Sequence, residues 1–262
     1  MRATLTDLDK ALHLADAADA ISKKHYLNVD LHIDTKPDKT PVTEADLAVD
    51  SALQKIVTEE YGDAYLSEEG EQAHRAGRQW IVDPIDGTKN FMRGMPVWAT
   101  LISIQDDSGT LAAVVSAPAL GRRWWAERGN GAFTQDVDGT TRQIHVSKIS
   151  TVADASLLFS SIFRWDETPT GSAAVLKLLK SAWRDRSPGD FFGYTLVAEG
   201  AADACFEPSP KEWDIAAPGF IITEAGGAVW NSATPDTPAG ESRIVIASNG
   251  LLHEPLLHAL VV

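Results

Sequence analysis

Trp80-Ile81-Val82-Asp83-Pro84-Ile85-Asp86-Gly87-Thr88-Lys89-Asn90 is the stretch on which the reading of this chain turns. Trp80, Ile81 and Val82 read as the end of a buried strand that delivers Asp83 to its mouth. Pro84 fixes its own φ and has no N–H, so the turn from Asp83 to Asp86 is stiff. The Ile85 carbonyl is then left to bind something other than backbone, a cation among the candidates. Gly87 and Thr88 follow at once, and their N–H groups, entering a turn or helix start, suit phosphate oxygens. Asp-Pro-x-Asp-Gly is also what an ordinary surface turn looks like, because each of its residue types favours turns. The rest of the chain decides between the two.

With 262 residues, 44% of them hydrophobic and 23% charged, the chain can bury a large core in one big domain or two lobes. A formal net charge of −14 and a pI near 4.8 repel phosphate backbones and anionic membranes, so neither nucleic acid nor membrane is an expected partner. A small anionic substrate would need local help from metal ions. The single cysteine, Cys205, excludes an internal disulfide and reads as a small buried hydrophobe. No targeting or spanning segment is evident, and a cytoplasmic protein is expected.

Leu8, Leu12, Ala15, Ala18 and Ile21 recur at helical spacing behind Thr6 or Asp7 as N-cap. Residues 36–46 carry two prolines and alternating charges and read as a loop into a second helix, capped by Thr43 and running to about Tyr61. Asp46 in its first turn complements the helix dipole. A short strand over 64–66 ends in Ser67-Glu68-Glu69-Gly70, and beside the strand ending in Asp83 it would put Glu68 at the same sheet edge. The segment 71–79 reads as loop or frayed helix. Strands follow at 99–105, 111–116 and 122–127, then a glycine-punctuated, loop-rich stretch and a lobe boundary near 148–153. The second lobe alternates strand and helix. Its strands are 156–160, 203–207, 228–230 and 243–247, and its helices 173–182, 191–199, 213–225 and 251–260; Pro218 is tolerable only in a first helical turn.

Thr43-Glu44-Ala45-Asp46, Glu68-Glu69, Asp83-Pro84-Ile85-Asp86-Gly87-Thr88, Trp213-Asp214 and Glu224-Ala225-Gly226-Gly227, in that order, resemble the inositol monophosphatase family of magnesium-dependent, lithium-sensitive phosphatases. The resemblance covers nearly the whole chain. It implies a layered αβαβα sandwich, commonly a homodimer, that hydrolyses a small phosphate monoester with two or three Mg2+ ions per subunit. The expected lobes are 1–150, with most metal ligands, and 151–262, with Asp214 and the substrate wall.

Carried over by position, Glu68, Asp83 and the Ile85 carbonyl would hold the metal that activates water, and Asp83, Asp86 and Asp214 a second. Thr88, backed by Asp46, would position the water, and Gly87 and Thr88 N–H groups would bind phosphate. Ser67 departs from the family, which usually has glycine there. Arg186-Ser187-Pro188-Gly189-Asp190-Phe191-Phe192-Gly193-Tyr194, with Pro118 to Trp125, is most similar to the bacterial histidinol-phosphate phosphatases of this family, which act in histidine biosynthesis. Asp190 and Glu207 are then the candidates for the substrate's cationic groups, although Asp190 also reads as a helix cap. An inositol or broad-range monophosphatase, or a non-catalytic protein on the same fold, are the alternatives.

Overall fold

Thr6 starts the first helix, α1 (Asp7–His25), through a reciprocal cap. Its hydroxyl accepts from the Asp9 N–H at 3.1 Å and the Asp9 carboxylate accepts from the Thr6 N–H at 3.0 Å. The computed structural model describes residues 5–37, 40–70, 76–232 and 244–261. The chain divides into two units, Met1–Gln143 with Glu212–Ile221, and Ile144–Lys211 with Ile222–Val262.

In the first unit, β1 (Ile33–Thr35) and β2 (Pro41–Thr43) pair antiparallel and lead into α2 (Glu44–Lys55). The two prolines and alternating charges of 36–46 predict a loop here. These three-residue strands lack apolar alternation, and β1 is exposed along its length, so only the pairing itself reveals them. One π-helical turn, Ile56–Tyr61, extends α2 and ends at Gly62, whose φ of 72° suits glycine. The strands β3 (Ala64–Ser67) and β4 (Gln79–Asp86) run parallel. After α3 (Thr88–Met92), β5 (Ala99–Asp106), β6 (Gly109–Ala117), β7 (Arg122–Glu127), β8 (Gly131–Gln135) and β9 (Thr141–Ile144) complete a seven-stranded sheet among the described residues, in sequence order. The last two strands lie where a loop was expected. Glycines flank them, and β9 is mostly exposed, which hides their period.

One face of this sheet is apolar and takes both long helices. Ala11, Leu14, Ala15 and Ala18 of α1 and Val49 and Leu53 of α2 are buried with Trp80, Val82, Ile102, Ile104, Ala112 and Val114. Burial on this scale stabilises by about 25 cal/mol per Å² of apolar surface removed from water. Arg123 ties α1 to β7, donating to Asp16 and Asp19 at 2.8 Å each. Arg122 lies 4.7 Å over the Trp124 ring and pairs with Asp136 at 2.6 Å. These basic and aromatic residues of β7 therefore serve packing.

The second unit contains β10 (Ser156–Phe159), α4 (Gly171–Ser181), β11 (Arg184–Arg186), α5 (Asp190–Ala198) and β12 (Ala204–Pro208). α6 (Glu212–Glu224), β13 (Ala228–Asn231), β14 (Ile244–Ser248) and α7 (His253–Leu260) follow. The sheet order is β11-β10-β12-β14-β13, with β10 parallel to both neighbours and β14 antiparallel to both of its own. Leu157, Phe206 and Ile246 pack with Val175 and Leu179 of α4 and Leu256 and Leu260 of α7. Trp165 meets Phe206 edge-on at 5.9 Å.

The lobe boundary falls between Gln143 and Ile144, and Asp214, assigned to the second lobe, groups with the first. The reason is Trp213, buried with Leu66 of β3 and Ile81 of β4. Pro218 sits mid-helix in α6, not in its first turn. It cannot donate to the Asp214 carbonyl four residues back, a helix defect that the burial of the neighbouring Ala217 and Ile221 offsets.

Gly226 and Gly227 end α6 as expected, for different reasons. Gly226 takes φ 91°, whereas Gly227 is held by contact: a Cβ there would lie 2.5 Å from the Ser248 carbonyl oxygen and 2.7 Å from Ile222 Cγ2. Because the nearest obstacle is backbone, Gly227→Ala should destabilise the protein by about 1–3 kcal/mol, read by urea denaturation. An unchanged midpoint would show that β14 yields freely.

Candidate active site

The functional stretch is shaped by a break in strand pairing. Between Asp83 and Asp86 the register of β4 against β5 shifts, because Pro84 has no N–H for the ladder. The break is held in place by three contacts. The Pro84 carbonyl accepts from Thr100 Oγ1 at 2.8 Å, and the Ile85 N–H donates to Asp83 Oδ1 at 3.0 Å. The Ile85 side chain is buried with Ala45, Phe91 and Trp98. Gly87, at φ 83°, then turns the chain into α3, where Thr88 is the first residue.

This bulge brings Asp83 and Asp86 together with Asp214. The three carboxylates each offer an oxygen within 4.8 Å of the others. Asp83 is only 2% exposed. Burial pushes its pKa well above the ordinary carboxylate range, and the negative charges of Glu68, Asp86, Asp214 and Asp46 push it further. Glu68 is thus close enough to act on Asp83 electrostatically, although it stands outside the three-carboxylate group. A partly buried all-oxygen donor set with excess negative charge fits a hard divalent cation.

Asp46 divides its two carboxylate oxygens between Thr43 and Thr88. Its Oδ2 accepts from the Thr43 N–H at 2.9 Å and from the Thr43 hydroxyl at 2.5 Å, and Thr43 Oγ1 accepts from the Ala45 N–H at 3.2 Å in return. That is a helix cap. Its Oδ1 faces Thr88, whose Oγ1 lies 3.4 Å away and 3.1 Å from the Ile85 carbonyl. One hydroxyl proton cannot serve both acceptors fully, so Thr88 is poised between them. Burial raises the Asp46 pKa, against the Thr43 hydrogen bonds that lower it.

Lys36 was missed from sequence. Its Nζ donates to Glu68 at 2.7 Å and to Glu69 at 2.5 Å. Burial works against its charge, but the two carboxylates outweigh that and its pKa rises. Glu69 is pushed up to about 7, because burial and Glu68 outweigh the ammonium. No local signal marks Lys36, since the β1–β2 hairpin brings it to glutamates far along the chain.

Asp190 and Glu207 belong to the second unit. Glu207 accepts from the Ser160 hydroxyl at 3.0 Å and from the Tyr194 hydroxyl. Burial raises its pKa, the two hydroxyls lower it and the Asp190 charge raises it again, so these carboxylates sense one another. Asp190 takes φ 45°, a conformation that costs a non-glycine residue energy.

Residues 4–261 match the pattern of the inositol monophosphatase family, and the chain belongs to that family. It has the family's α/β sandwich fold. A Thermotoga maritima IMPase structure superimposes with a TM-score of 0.81 at 27% identity, over 96% of this chain and 95% of that one. Among curated relatives, the histidinol-phosphatase of Mycobacterium tuberculosis is 48% identical over 257 residues, 97% of each chain. The histidinol-phosphatase of Streptomyces coelicolor is 44% identical over 258 residues, 97% of this chain and 96% of that one.

The electrostatics yield a stability test. A carboxyl whose folded pKa is raised binds its proton more tightly folded than unfolded, so stability is lost as pH rises from the ordinary range through the folded value. In chelator, Asp83→Asn should therefore be more stable than the wild type at pH 8, with the gap shrinking toward pH 5. Magnesium should raise the melting temperature of the wild type and not of the variant. A variant less stable at every pH would mean that the charge cluster carries no repulsion.

Proposed function

We infer that this chain hydrolyses L-histidinol phosphate to L-histidinol and inorganic phosphate. The observation that carries the reading is near-full-length identity of 48% and 44% to two proteins named histidinol-phosphatase. The carboxylates of Asp83, Asp86 and Asp214, gathered in one place, supply the matching chemistry. The reaction is direct hydrolysis of a phosphate monoester. Water attacks phosphorus, the ester P–O bond breaks and the departing alkoxide takes a proton. Cys205 has no part in it, since burial pushes its thiol well above the usual range.

Glu68, Asp83, Asp86, Asp214 and the Ile85 carbonyl would hold magnesium, two or three ions per subunit. Such ions neutralise the carboxylates and the charge that develops on phosphate and ester oxygen, and they acidify water. Thr88 orients the attacking water by accepting from it while donating to Asp46 Oδ1, and Asp46 holds that proton because its other oxygen is committed to the Thr43 cap. Gly87 and Thr88 N–H groups, at the start of α3, bind phosphate oxygens. The family resemblance also supports a cytoplasmic, lithium-sensitive homodimer working in histidine biosynthesis.

Asp190 and Glu207 are the carboxylates we assign to the substrate's ammonium and imidazole. Two acidic groups that repel one another are relieved by a cation, and the strained backbone of Asp190 is of the kind retained where function needs it.

Assayed with magnesium against histidinol phosphate, inositol 1-phosphate and fructose 1,6-bisphosphate, the protein should show its highest kcat/KM on histidinol phosphate. Preference for inositol 1-phosphate would replace this reading. Thr88→Ala should lower kcat by roughly 10²-fold or more with KM little changed. A rise in KM alone would make Thr88 a binding residue.

Asp190→Asn and Glu207→Gln should each cut kcat/KM for histidinol phosphate more than tenfold. That follows from a lost charge-assisted hydrogen bond of about 1.5–3 kcal/mol, while p-nitrophenyl phosphate hydrolysis falls far less. Equal losses on both substrates would assign these carboxylates to the fold.

A further inference from the structure

Glu207 lies where three elements of the second unit meet. It belongs to β12, and the parallel register that pairs Phe159 of β10 with Phe206 brings Ser160, the next residue, alongside it. α5 packs on the same strand through Gly193 and Cys205, which brings Tyr194 to Glu207. Each carboxylate oxygen is thereby claimed by one hydroxyl. Ser160 Oγ donates to Oε2 at 3.0 Å, and the Tyr194 hydroxyl, on a residue only 1% exposed, donates to Oε1.

The groups around this carboxylate divide by sign. Asp190, which opens α5, opposes its ionisation, and Arg164, on the turn Ile162–Glu167, favours it. Val245, its partner on β14, is apolar, and the Cys205 thiol on its own strand stays neutral. An ionised carboxylate only accepts, and each oxygen has two lone pairs, so one donor on each fixes the plane of the group and still leaves it able to accept from a cation. Hydrogen bonds made to the charged form also hold that form against burial and against Asp190. Strained backbone flanks the same groups. Among the described residues, Leu27, Ser161, Asp190 and Ser209 are the non-glycine positions of positive φ. Ser161 follows Ser160, Asp190 lies one helical turn before Tyr194, and Ser209 stands two residues after Glu207.

We propose that Tyr194 and Ser160 are positioning residues that set selectivity for a cationic phosphate ester, by holding Glu207 as a fixed, ionised receptor for the ester's ammonium group. The proposal rests on reading Glu207 as a substrate-binding carboxylate.

L-Histidinol, added as a competitive inhibitor of p-nitrophenyl phosphate hydrolysis with magnesium present, tests it, because its Ki reads the receptor apart from the rate of turnover. Losing either hydroxyl raises the pKa of Glu207. Tyr194→Phe and Ser160→Ala should therefore each raise the Ki about tenfold at pH 6, the effect of one pKa unit, and about two- to threefold at pH 8, where Glu207 is ionised with or without the hydroxyl. Titration of the inhibitor's own amine and imidazole is common to every protein compared and cancels in the ratio to wild type. Ser160→Thr, which keeps the hydroxyl, should restore the wild-type Ki at both pH values. Tyr194→Phe removes a single oxygen and decides the matter if Ser160→Ala does not fold. If Glu207→Gln raises the Ki while Tyr194→Phe leaves it unchanged, or raises it equally at pH 6 and pH 8, the proposal is overturned and Glu207 stands as a receptor that needs no such support. A wild type that L-histidinol does not inhibit, or a Ki indifferent to Glu207→Gln, would overturn the substrate-binding reading together with the proposal.

Discussion

Mutual repulsion among carboxylates is the constraint around which the first unit is built. Asp83 is buried where the pairing of β4 with β5 shifts, and it feels the charges of Glu68, Asp86, Asp214 and Asp46 together. Nothing about this arrangement favours the fold, because removing a carboxylate from water and placing it beside others costs free energy. It persists because the surrounding structure leaves little choice. Ile85 and Trp80 are fully buried on either side of Asp83, and Trp213 anchors the start of α6 against β3 and β4. A divalent cation would convert that liability into affinity, and the closeness that lowers stability would then serve the chemistry.

The economy of the site lies in how single residues serve two ends. Asp46 divides its oxygens, one closing a helix cap and the other facing Thr88. Capping fixes the carboxylate, so its free oxygen is aimed without a further support. Pro84 breaks the ladder and Gly87 reverses the backbone, which puts Asp83 and Asp86 at one end of β4 with Thr88 immediately after.

In the second unit the same economy appears as close packing. A Cβ on Gly193 would sit 2.7 Å from Cys205 Sγ, so a side chain at that position would have to displace the Cys205 sulfur for α5 to stay against β12. That contact gives the lone cysteine a packing role. It also brings Tyr194, next in the helix, to Glu207 two residues beyond the cysteine.

What the sequence determined by itself is what local physics controls. The caps at Thr6 and Thr43, the apolar periods of α1 and α2, the buried strand that carries Trp80, Ile81 and Val82 to Asp83 and the positive-φ stop at Gly226 all follow from neighbours a few residues apart. Motifs whose order resembles a family pick out the proposed acidic residues, and three of them, Asp83, Asp86 and Asp214, lie together in the structure. Tertiary structure alone decided the rest. The β1–β2 hairpin that delivers Lys36 to Glu68 and Glu69, the return of Asp214 to the first unit, the mid-helix place of Pro218 and the Tyr65–Asp50 hydrogen bond all depend on residues distant in sequence. Their closeness is set by which apolar faces can be buried together, and no short-range pattern of residues encodes that.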